Sequence, residues 1–135
     1  MRLRLLKLSL AAAAVVWGVS LVGVFVPWSN AEELLQGLGA NPIPHDPMLD
    51  YWLRMAAGAF TMIGLLFLAL AVFPRRFAAI IPLFGWLMLF EGVILALHGF
   101  RLGLRPFPFY GDACACLVLG ASILWFQNAA LESSK

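Results

Sequence analysis

The chain has 135 residues, 63% of them hydrophobic and only 12% charged, with a net charge of +2. Soluble domains are nearly half apolar and about a quarter charged, so one small aqueous core cannot hide this much apolar surface. The mean hydropathy of +0.93 agrees, the nine Lys and Arg form no aromatic-interleaved basic stripe for nucleic acid, and two cysteines are too few for a disulfide framework or a Cys-rich zinc site.

Charged residues fall in short clusters between long apolar stretches, the pattern of membrane-spanning helices. The expected fold is all-α: a polytopic membrane protein forming a single domain over residues 1–135, a bundle of four transmembrane helices with a short interfacial helix in the first outer loop. The first span is expected at about 8–26, after the basic run Met1 to Lys7 and before Pro27 and Trp28. A secretory signal peptide begins the same way, but the length of the apolar stretch and the lack of a small-x-small cleavage site favour an uncleaved signal-anchor helix. Asn30 followed three places later by Glu33 reads as a helix cap, with Leu34, Leu35 and Leu38 as the apolar stripe of the interfacial helix. Gly37 and Gly39 end it, and Pro42, Pro44 and Pro47 forbid its continuation because they fix φ and remove amide donors.

The second span is expected at about 49–73 and the third at about 77–100, joined by the tight turn Pro74-Arg75-Arg76 and therefore antiparallel; Pro82 falls near the start of the third, where its missing amide costs least. An aromatic, proline-rich turn from Arg105 to Gly111 precedes the fourth span, 112–130, which gains length from the uncharged Gln127 to Ala130 before a polar tail ends in water at Lys135. Orientation follows from the basic residues. Arg2, Arg4, Lys7, Arg75, Arg76 and Lys135 share one side, and Arg54, Arg101 and Arg105 the other, which places both termini in the cytoplasm of a bacterial plasma membrane. Trp28, Tyr51, Trp52, Phe107, Phe109 and Tyr110 then form an outer aromatic belt.

Arg54 and Glu91 are the charges that lipid should tolerate least, since a charge at the centre of a bilayer costs at least ~2.5 kcal/mol. With spans two and three starting where expected, the two lie at similar depths, and Arg54 shares its helix face with the small residues Ala57, Gly58, Thr61 and Gly64. Asp50, Arg54, Glu91 and His98 form either a polar pocket with Arg101, Arg105 and Asp112 at its mouth, or a structural ion pair of Arg54 with Glu91 that fixes helix packing. His45 and His98 have no metal-ligand spacing, and no motif implies a metal or another cofactor. Cys114 and Cys116, at i and i+2 of a helix, point apart and read as packing residues; a redox role is the alternative.

The layout of a signal-anchor helix, an outer loop with a short helix, and a second helix opening Arg54-Met55-Ala56-Ala57-Gly58 resembles that of the small four-helix bacterial inner-membrane proteins of DoxX-like or uncharacterised type. That resemblance implies a four-helix inner-membrane bundle and, for some members, redox or respiratory partners; it assigns no role to any residue. Small multidrug exporters carry a coupling carboxylate in their first helix, which has no acid here, and quinone-coupled disulfide enzymes need a Cys-x-x-Cys that is missing. The leading expectation is a non-enzymatic accessory or scaffold subunit whose partners are lipid, other membrane proteins or further copies of itself. The alternatives are a small transporter or binder of an amphipathic or anionic molecule, and a membrane enzyme using Glu91 and His98 as acid and base.

Overall fold

The computed structural model describes residues 1–132, the side chain of Glu132 excepted; Ser133, Ser134 and Lys135 lie outside the described residues. Among these residues there is no strand. The helices are α1 (Arg2–Gly18), α2 (Leu21–Phe25), α3 (Trp28–Gly37), α4 (Pro47–Val72), α5 (Ile81–Leu102), α6 (Pro106–Phe126) and α7 (Ala129–Glu132). Four rods are long and apolar enough to cross a membrane: Arg2–Phe25, Pro47–Val72, Ile81–Leu102 and Pro106–Phe126, of 24, 26, 22 and 21 residues. Each meets the ~20 residues that the hydrocarbon layer demands. The first combines α1 and α2, separated only by a tightened turn in which Val22 N–H donates to the Val19 carbonyl (3.2 Å) and Gly23 N–H to that of Ser20 (2.9 Å).

The helix ends depart from expectation for local reasons. The first rod begins at Arg2, because the leading Leu, Arg and Lys residues are good helix formers. Pro27 biases Val26 to extended backbone and stops α2, so α3 starts at Trp28 rather than at an Asn30 cap. Gly39, with φ 107°, lets Ala40 N–H reach back to the Leu35 carbonyl at 2.9 Å, closing α3 in the left-handed cap that glycine makes without a steric penalty. Asp46 accepts hydrogen bonds from Met48 N–H (2.7 Å) and Leu49 N–H (3.2 Å), and Pro47 occupies the first turn, so α4 opens two residues early. The third rod opens late, at Ile81, as Pro82 belongs in a first turn. The fourth gains its length at the front, from Pro106 through a non-helical Phe107 (φ −109°, ψ 134°), while α7 is a separate turn.

Close packing joins α1 and α2 to α4, α1 to α6, and α5 to α6, whereas the α4 and α5 backbones run apart and touch through side chains such as the edge-to-face pair Phe67–Phe84 (centroids 5.3 Å). Small residues set these distances. A methyl group built on Gly64 would lie 2.6 Å from the Gly18 amide nitrogen, so α1 and α4 meet backbone to backbone. On α5, Gly85, Gly92 and Gly99 recur every seven residues and receive Leu124, Leu117 and Phe109 of α6, the period of a left-handed supercoil. Phe109 is thus buried against Gly99 rather than displayed in an aromatic belt, whereas Tyr51, Trp52, Phe107 and Tyr110 are exposed. Ser9 and Ser122 hydroxyls hydrogen-bond at 2.6 Å between α1 and α6. The core of Leu6, Leu10, Phe67, Leu70, Ile81 and Ile123 occupies the half of the bundle that holds the amino terminus. The other half is looser and contains the clefts described next.

Candidate functional site

Arg54 sits at the start of the third turn of α4 facing the end of α2. Its Nη1 donates to the Gly23 carbonyl at 2.7 Å, and Nε and Nη2 approach Asp50 Oδ1 at 3.0 and 2.7 Å. The cause is readable in the chain. Gly23 would normally accept from the amide four residues on, but that residue is Pro27, which has none. The guanidinium supplies the missing donor and places positive charge at a helix carboxyl end, where the macrodipole favours it. His45 stands 3.8 Å from the other Asp50 oxygen and stacks edge-on with Trp28 at 5.2 Å. Arg54 and Asp50 therefore fasten α2 to α4.

No ion pair joins Arg54 to Glu91 among the described residues, contrary to the ion-pair alternative of the sequence reading. With α5 opening at Ile81, Glu91 is the eleventh of 22 residues, at mid-span. It borders the same cleft as Phe60, which lies six residues beyond Arg54 and so ~9 Å deeper along α4 at 1.5 Å per residue. The two charges occupy different levels.

Glu91 instead faces two adjoining clefts, about 230 and 260 Å³, which share Trp17 and Glu91 as lining residues. The first lies between α1, α4 and α5 with walls that include Ile63, Phe67, Phe84 and Leu87. The second is lined by Ser20 of the first rod, Phe60 of the second, Glu91 itself on the third, and Asp112 and Cys116 of the fourth. Trp17 is fixed in place, its Nε1–H donating to Met88 Sδ at 3.1 Å and its ring meeting Phe60 edge-on at 5.2 Å. Glu91 is half-buried and makes no hydrogen bond or ion pair among the described residues. Neither lining contains Lys, Arg or His. Chemically this is an apolar-walled recess with two carboxylates, suited to a proton or to a cation bearing apolar groups.

The predicted constellation thus divides. Asp50 and Arg54 stay together at the α2 end; Glu91 and Asp112 both line one cleft; His98 and Arg101 are exposed on the last turns of α5. Arg105 leaves the expected mouth and packs along Gly39, tying the two outer loops together. Sequence reasoning missed Trp17 and Ser20, which carry no charge to single them out, although a Trp and a Ser three apart in an apolar helix form a weak polar signal. Cys116 is buried and Cys114 exposed, both as free thiols. Comparison with protein families, with curated proteins and with solved structures finds no match to this chain.

Proposed function

We propose that this chain is a small multi-pass protein of the bacterial plasma membrane that binds, and by binding can carry, an amphipathic cation in the Glu91 cleft. The observation that carries the reading is a mid-span carboxylate with no protein partner among the described residues, facing an apolar-walled cleft. An unsatisfied charge at that depth is costly, and a ligand or a proton relieves it. Two carboxylates without a lining cation favour a positively charged guest over the anion that the loop arginines had implied. Ser20 and Asp112 add polar groups to the lining for a polar head, and Trp17 and Phe60 add aromatic walls, a lining that suits a cation bearing apolar groups. The gathering of Arg2, Arg4, Lys7, Arg75 and Arg76 at one end supports a topology with both termini in the cytoplasm.

Tetraphenylphosphonium, a lipophilic cation, serves as the probe. Protein purified in mild detergent should retain it in native mass spectrometry, and Glu91→Gln should lose it while keeping its helical spectrum and melting behaviour. Equal retention by Glu91→Gln, or none by the wild type, refutes the reading. An accessory role through lateral packing is the second reading, in which the outward stripe Trp86, Val93, Leu97 and Phe100 along α5 meets a partner helix; alanines at these four positions, none of which lines the Glu91 cleft, would then abolish co-purification of a partner without touching probe binding.

A further inference from the structure

At the opposite end of the bundle lies the largest of the cavities described, about 430 Å³, between the start of α1 and the α4–α5 turn. Lys7 reaches it from α1, and Arg75 and Arg76 from the turn, while Leu3, Val72 and Phe73 supply apolar walls. Among the described residues, no carboxylate lines it. We propose that this cleft is a binding site for the headgroup of an anionic phospholipid, independent of whatever occupies the Glu91 cleft.

Three features of the cleft point to that occupant. Segments about 70 residues apart in the chain deliver their cations to one cavity, an arrangement that orienting the protein in a membrane does not need, because that bias depends only on which loops hold Lys and Arg. The cleft is at the helix ends, where phosphate groups lie, and its apolar walls continue toward the hydrocarbon, so it offers a seat for the first methylenes of an acyl chain as well as for the phosphate. Finally, Arg76 lies 5.8 Å from the centre of the Phe77 ring, which limits its wandering and keeps a charged donor at the rim for a charge-assisted bond. A zwitterionic lipid would bring its own ammonium towards Lys7 and Arg76.

The test uses the full chain in neutral detergent, titrated with phosphatidylglycerol, phosphatidylcholine or inorganic phosphate and read by native mass spectrometry and thermal melting. Phosphatidylglycerol should be retained in preference to phosphatidylcholine, and the preference should collapse at high salt. Lys7→Gln with Arg76→Gln should weaken phosphatidylglycerol binding roughly 25-fold, about fivefold per charge, whereas Lys7→Arg with Arg76→Lys should keep it. Equal retention of the two lipids, or a preference that survives the double glutamine variant, overturns the proposal. Inorganic phosphate binding as well as the lipid would make this a free-anion site and also overturn it. If the glutamine variant does not fold, the salt dependence and the lipid preference of the wild type and the charge-keeping variant decide. Tetraphenylphosphonium binding should be unchanged throughout, which separates failure here from failure at Glu91.

Discussion

Removing the Arg54 guanidinium strands two acceptors at once, the Gly23 carbonyl and the Asp50 carboxylate. Leaving a part-buried acceptor unsatisfied costs ~1–3 kcal/mol, so Arg54→Leu should lower the detergent melting temperature by several degrees. Arg54→Gln, which keeps a donor, should lose less, and Arg54→Leu combined with Asp50→Leu should recover part of the loss. If Arg54→Leu melts with the wild type, the capping role is wrong. The importance of Arg54 was legible in the sequence, because a charge inside an apolar stretch needs a partner. The partner was not, since a backbone carbonyl leaves no letter; the only trace was a proline four residues after Gly23. Glu91 was legible in the same way, yet its level was misjudged because α5 begins at Pro82's turn and not directly after Arg76.

Helix by helix, the glycines decide who packs on whom. A methyl on Gly64 meets the fixed backbone of Gly18 at 2.6 and 2.7 Å, while one on Gly58, a turn and a half earlier on α4, meets nothing within 4 Å. Gly64→Ala should therefore destabilise the bundle by ~1–3 kcal/mol through overpacking, and Gly58→Ala should be neutral or mildly stabilising, both read from thermal unfolding in detergent. Equal effects of the two would mean that α1 and α4 do not meet as described. Four apolar rods were plain from composition and charge spacing. Their pairing was less so: a two-arginine turn makes α4 and α5 sequential and antiparallel, but Phe67 and Phe84 hold their backbones apart, whereas the heptad Gly85, Gly92, Gly99 draws α5 onto α6. Prolines misled at the outer turn, where Pro106 and Pro108 read as loop yet occupy the opening of α6.

For the molecule as a whole, the charge distribution predicts sidedness. With Cys114 and Cys116 replaced by alanine, a single cysteine introduced as Ala40→Cys in the α3–α4 loop should react with a membrane-impermeant maleimide added to intact cells, and Asn128→Cys, between α6 and α7, only after permeabilisation. The reverse pattern would invert the proposed topology. The bundle is also unevenly closed. Glycine contacts seal α1 to α4 and α5 to α6, but between α4 and α5 the wall is side chains alone, and Leu87 and Phe90 on that flank are half to two-thirds exposed at 50% and 65%. If the Glu91 cleft binds as proposed, its guest enters sideways, already dissolved among acyl chains. Its occupancy follows mole fraction in the membrane: adding empty vesicles at constant total ligand should strip the site, and a more oil-soluble homologue should look tighter-binding without making one additional contact with the protein.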